Sequence, residues 1–144
     1  MREIKENKIQ FMFGGNCTFT IQVPNGEHYS YKIYRKKEWG TDKVYQLYLK
    51  GRKNTYCGFF KIVDNKLRFH YNGKYNIPRN DPSLITLLDT IHNRKNTANM
   101  ILHVGRCAHC GRALVDPESM ERGFGPKCWV KVRTFIEERN NESV

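Results

Sequence analysis

The chain has 144 residues, enough for one domain or for one domain with a small appendage. Hydrophobic residues make up 39% and aromatic residues 12%, too many for a disordered chain, yet no apolar run nears the roughly 20 residues of a membrane helix. The 25 Lys and Arg against 14 Asp and Glu give a formal charge of +11, which argues against a nucleic-acid mimic and for a polyanionic partner.

The opening MREIKENKIQ is charged throughout. It predicts neither a signal peptide nor a membrane contact, so the expected compartment is the cytoplasm. Residues 1–99 hold 18 basic and 8 acidic side chains, whereas residues 100–144 hold 7 and 6. A surface that seeks polyanions therefore belongs to the first part. The five cysteines, Cys17, Cys57, Cys107, Cys110 and Cys128, are odd in number, and one tight pair in a reducing compartment favours metal over disulfides.

Alternating β-rich runs occur at Cys17 to Val23, Tyr29 to Arg35, Val44 to Lys50, Tyr56 to Val63 and Lys66 to Tyr71, punctuated by Asn25-Gly26 and Asp64-Asn65. They predict a meander or small barrel. A two-residue turn at Asp64-Asn65 pairs Val63 with Lys66, Ile62 with Leu67, Lys61 with Arg68 and Phe60 with Phe69. For the first hairpin, a three-residue loop Asn25 to Glu27 sets Val23 against Tyr29 and Ile21 against Tyr31. A slip by one would instead set Tyr31 and Ile33 against threonines.

In that register one face carries Thr20, Lys32, Tyr34, Gln46, Tyr48 and Lys50, with Lys61 opposite Arg68. Like charges paired across strands destabilise a sheet by a few tenths of a kcal/mol to about one, so this face reads as arranged for an anion. Tyrosines among lysines suit single-stranded nucleic acid: bases stack on the rings at roughly 1–3 kcal/mol each while cations follow the phosphates. Loops add Arg35, Lys36 and Lys37, and then Lys50, Arg52 and Lys53. A solvated face is the plainer alternative, since lysines protect edge strands and tyrosines favour strands.

Asp81-Pro82 caps a helix over 81–94 whose stripe Leu84, Leu87, Leu88, Ile91 packs on the sheet. Only Arg94 and Lys95 are basic there, which does not suit a recognition helix. Asn93 to Asn99 reads as a linker, and Met100, Ile101 and Leu102 as one more short strand.

Cys107-x-x-Cys110 followed by Gly111 has the shape of a zinc knuckle, in which two thiolates reach one tetrahedral ion. Cys128 follows after 17 residues, at the start of a final helix opened by Pro126 and striped by Trp129, Val132 and Ile136. There the helix dipole is expected to lower its pKa. His103, spaced His-x-x-x-Cys before the pair, is the expected fourth ligand, whereas His109 sits between the cysteines with its ring turned away. Cys17 and Cys57 fall on strands and read as core residues. A filled Cys₃His set implies structural Zn²⁺. No His-x-Glu supports a deaminase, no βαβ context supports a thioredoxin-like dithiol, and no other catalytic set is recognisable, so no catalysis is expected. Arg106, Arg112 and Lys127 surround the site, either offsetting its negative charge or touching phosphate.

Asp116 and Pro117 cap a short turn of helix within the segment HVGRCAHCGRALVDPESMERGFGPKCW. The segment resembles a family of uncharacterised phage and bacterial proteins with the signature H-x-G-K/R-C-x-x-C-G-R-x-L-T-x-P-E-S-x-x-x-G-x-G-P-x-C. It departs at Val115, where the family usually has Thr, and at Trp129. The resemblance is weaker over the rest of the chain. It implies a phage origin and nucleic-acid business, and no established activity.

The sequence thus predicts an α+β protein: a small antiparallel sheet or partly open barrel with one packing helix over residues 1–99, and a zinc-binding unit with a final helix over 100–144. The expected function is non-enzymatic nucleic-acid binding. The alternative is a phage protein that binds and inhibits a host protein, such as a defence effector or a transcription factor, through its basic surface. The sequence leaves the oligomeric state open.

Overall fold

The computed structural model describes residues 1–36, 44–51, 53–93 and 98–133. Where β-branched and aromatic residues alternate with polar ones, the chain forms strands: β1 (Arg2–Ile4), β2 (Asn16–Gln22), β3 (His28–Lys36), β4 (Val44–Lys50), β5 (Asn54–Val63), β6 (Lys66–Tyr71) and β7 (Met100–His103). All pair antiparallel in one sheet of order β1-β7-β2-β3-β4-β5-β6. With the helices this is the expected α+β class.

The β5–β6 hairpin has the predicted register, Val63 on Lys66 through Phe60 on Phe69. Asp64 and Asn65 both take left-handed φ, 51° and 61°, as a two-residue turn of this kind requires. The first hairpin is a correction. Ile21 meets Tyr29 and Phe19 meets Tyr31, two residues away from the expected pairing. Its loop spans five residues, 23–27, and the Val23 N–H donates to the Glu27 carbonyl at 2.9 Å. An even slip keeps every side chain on its face, so the inner and outer sets survive.

Two helices cover the inner face. α2 (Pro82–His92) starts as expected, with the Asp81 carboxylate accepting from the Ser83 N–H at 3.1 Å and Pro82 in the first turn. It buries Leu84, Leu87 and Ile91 against the sheet. The buried Tyr31 donates its hydroxyl to the Ser83 carbonyl at 2.6 Å, so the ring is held at both ends. α1 (Lys8–Met12) was not anticipated, nor was β1. Phe11, Met12 and Phe13 follow Lys8 into the core, and Phe13 makes edge-on contacts with Tyr45 at 5.2 Å and Phe60 at 5.1 Å. Burying a side chain of this size stabilises by about 1.5–3 kcal/mol. This segment therefore carries much of the packing at one end of the sheet.

The C-terminal segment is not set apart from the sheet. β7 lies between β1 and β2, and one cluster of buried residues includes Ile4 and Phe11 together with Ile101, Cys107, Ala108 and Phe124. Residues on both sides of the boundary expected at 99/100 thus share a core. After β7 come α3 (Pro117–Arg122) and a helix, α4, described over 126–133. Asp116 caps α3 through the Ser119 N–H at 3.1 Å, as predicted. Gly123 ends it at φ 81°, the left-handed conformation that glycine adopts without strain. Among the described residues no helix is long and apolar enough to cross a membrane.

Candidate metal centre and sheet face

The turn after β7 is built from backbone. An isolated bridge pairs Arg106 with Ala113, the Cys107 N–H donates to the Arg112 carbonyl at 2.8 Å, and the Gly111 N–H returns to the Cys107 carbonyl at 2.9 Å. Gly111 takes φ +78°, and a Cβ there would lie 2.9 Å from the Asn16 amide nitrogen. Glycine takes this closure without strain. α4 brings Cys128 up to the turn in its first turn. The sulfurs of Cys107, Cys110 and Cys128 all lie within 4.8 Å of one another. Zn–S bonds of about 2.3 Å at tetrahedral angles separate sulfurs by roughly 3.8 Å, so the group suits a single metal ion.

The thiols are not equivalent. Burial pushes Cys107 up, but N–H donors from Cys110, Gly125 and His109 more than offset it, leaving Cys107 below the ordinary thiol value. The Gly125 N–H lies 3.4 Å from the Cys107 sulfur. Cys128 moves the other way, to about 12, through burial and the facing sulfurs of Cys110 and Cys107. This corrects the expectation that the helix dipole would lower it. Burial is the largest cause and the two neighbouring sulfurs add to it, and a cation between the three would remove their conflict.

His103 is the second correction. It does not join the sulfur group. The ring is buried in β7, where it alternates with Ile101 on the core side, and both nitrogens are committed to backbone. Nδ1 accepts from the Gly105 N–H at 3.0 Å, which makes Nε2 the protonated nitrogen, donating to the Met120 carbonyl at 2.8 Å. Burial lowers its pKa, favouring this neutral form. His103 thus brackets the turn to α3. Three sulfurs form the donor group among the described residues, so saturation by Cys₃His no longer argues for a structural ion.

His109 turns away as expected, with Nδ1 2.8 Å from the Gly14 carbonyl. Here the unit seats on α1 and β2. The Asn16 N–H donates to Ala108 at 2.8 Å, and Phe124 packs edge-on to Phe11 at 6.2 Å and tilted against Trp129 at 5.9 Å. Val132 also packs at the core edge, and Ile136 of the predicted stripe lies outside the described residues. Cys17 and Cys57 are buried free thiols, as expected. Arg106, Arg112 and Lys127 are exposed, and Arg106 donates to the Gly111 carbonyl at 3.2 Å.

The outer sheet face gathers most of the predicted strand residues. Lys32 stands across from Tyr48 and Tyr34 across from Gln46, while Lys61 faces Arg68 and Lys50 faces Ser30. The Lys32 ammonium lies 5.7 Å from the centre of the Tyr34 ring. Arg35 falls in alternation with Tyr31 and Ile33, so it does not share the face of Lys32 and Tyr34. Lys53 follows β4 in the turn and is exposed. Lys37, Arg52 and the side chain of Lys36 lie outside the described residues.

His70 and Phe59 share this face with Lys61 and Arg68, as the β5–β6 register requires. Sequence reasoning missed Tyr56. A β-bulge is responsible: Leu47 pairs with Gly58 but Tyr48 pairs with Tyr56, so β5 holds one extra residue, Cys57. Simple alternation from Phe60 would turn Tyr56 inward. The bulge places it beside Tyr48, with ring centroids 5.5 Å apart. Phe59 and His70 stack at 4.7 Å and 12°. The available signal was Gly58, a glycine inside a strand pattern, at φ +148° with no room for a Cβ.

No curated protein sequence and no solved structure matches the chain significantly. A family match does exist, and it falls on the metal-centre segment, from β7 through the described part of α4: residues 101–133 match DUF6011, a family of unknown function.

Proposed function

We propose that the protein is a non-enzymatic, single-stranded nucleic-acid-binding protein whose C-terminal turn is held by zinc. One observation carries the reading: the register sets Lys32, Tyr34, Tyr48, Lys61 and Arg68 on one open sheet face. Cations there can follow phosphates while rings accept bases, and the face needs no motif beyond that juxtaposition. The charge imbalance of residues 1–99 acts in the same direction.

Zinc is the ion of choice because three thiolates, two on the turn and one on α4, are soft donors in a cage of tetrahedral size. Its role is structural. Cys107 is buried in the shared core, and the ion would tie the 107–110 turn to α4 beside Phe124 and Trp129. The cytoplasm, where the thiols stay reduced, is the matching compartment. The phage setting rests on the family resemblance.

Fluorescence anisotropy with single- and double-stranded DNA and RNA tests the reading, on protein of measured metal content. Four phosphate contacts on a single strand imply a loss of about 50-fold in affinity between about 50 and 200 mM salt. Absence of any salt-dependent binding would overturn it and return the basic surface to an acidic partner protein.

A further inference from the structure

The extra residue in β5 shapes more than one side chain. Past β6 the chain folds back beside the bulge, with the Asn72 N–H donating to the Cys57 carbonyl at 2.9 Å. The Asn72 side-chain oxygen accepts from the Lys74 N–H at 2.9 Å and so caps a 3₁₀ turn, Gly73–Tyr75. This turn presents Tyr75 edge-on to Tyr56, with ring centroids 6.0 Å apart at 88°, and Tyr56 in turn leans on Tyr48. The rings border an open groove of about 840 Å³ that Lys53 and Lys74 also line.

The chemistry of the lining selects a ligand. Three phenol rings offer flat apolar surface, and Tyr75 is 49% exposed. With its oxygen engaged, the Asn72 amide keeps its NH₂ as a donor to a heteroaromatic edge. The two lysines supply cations, and among the described residues no lining residue is acidic. An apolar peptide would strand the amides, and a neutral sugar would leave the cations unused. A planar base with hydrogen-bonding edges and a flanking phosphate uses all three features. Paired bases in a duplex keep their faces stacked inside and cannot enter.

Resting on the nucleic-acid reading above, we infer that this groove is a subsite for one unpaired nucleobase, stacked on Tyr75 and Tyr56, with Lys53 and Lys74 at the adjoining phosphates. The subsite extends the outer face past its β4–β5 end.

The full chain, metal-loaded, is titrated with a labelled 15-nucleotide oligothymidine at about 50 mM salt, and with the same strand carrying one 5-iodouracil for photocrosslinking and peptide mapping. Loss of one base stack in Tyr75→Ala is expected to weaken binding about 5- to 150-fold. Tyr75→Phe should bind within about threefold of the native chain, because the ring and not the hydroxyl does the stacking. Crosslinks should map to Tyr56 or Tyr75. Native-like binding by both Tyr75→Ala and Tyr56→Ala, with crosslinks elsewhere, overturns the subsite and leaves the sheet-face reading intact. A native chain that binds no oligonucleotide overturns both.

Discussion

Replacing His103 by alanine separates a metal ligand from a backbone bracket. The ring is 1% exposed and lies 5.5 Å from Phe11. Its loss orphans the Gly105 N–H and the Met120 carbonyl, and it leaves a void beside Phe11. Each orphaned buried group costs about 1–3 kcal/mol and the void adds to that, so a loss of about 3–5 kcal/mol is expected. For a chain of this size that lowers Tm by roughly 6–20 °C. The metal should stay: with Cys107, Cys110 and Cys128 intact, the folded variant should hold one ion per chain by elemental analysis. Its cobalt(II) form should keep the native thiolate charge-transfer band. Loss of the ion, or an altered cobalt spectrum, at a temperature where the variant is folded would refute the assignment.

Further outcomes follow from the same geometry. Cys107→Ser removes the sulfur that three N–H groups stabilise, and metal content should drop from one ion per chain to near zero. Gly123→Ala puts a Cβ 2.4 Å from the Phe11 ring at φ +81°, and the chain should lose about 2–4 kcal/mol in urea unfolding. Gly125→Ala meets nothing within 4 Å and should change stability by less than about 0.5 kcal/mol. Burial raises the Cys57 pKa to about 12, so its contribution to stability is complete below about pH 9 and lost as pH rises toward 12. Cys57→Ala should therefore flatten the alkaline limb of a stability-against-pH curve. An unchanged slope would show that the thiol ionises no differently in the unfolded chain.

The parts of the fold legible in the sequence were those under local control. Asp64-Asn65 determines a two-residue turn and with it the whole β5–β6 register. Asp81-Pro82 and Asp116-Pro117 determine helix starts through hydrogen bonds two or three residues away. Non-local contacts decided the rest. β1 and α1 hide because Ile4, Phe11, Met12 and Phe13 sit within or just after a charged run and are buried only by distant partners such as Phe124 and Tyr45. The spacing of His103 to Cys107 is compatible with ligation. The register of β7 nevertheless turns the ring into the core, and the Gly105 turn supplies the N–H that occupies Nδ1. The three sulfurs were readable from Cys-x-x-Cys and the Gly-Pro turn, since those motifs build the loop that joins them. Tyr56 was not, because a single bulge reverses the parity of the strand before it.

Amide chemical-shift mapping of the ¹⁵N-labelled, metal-loaded chain during titration with a short single strand bears on the whole reading at once. The shifts should concentrate on β3 to β6, at Lys32, Tyr34, Tyr48, Lys61 and Arg68, and spare β1 and β7 at the far side of the sheet. Shifts confined to the turn around Cys107 and Cys110, or none at low salt, would contradict it.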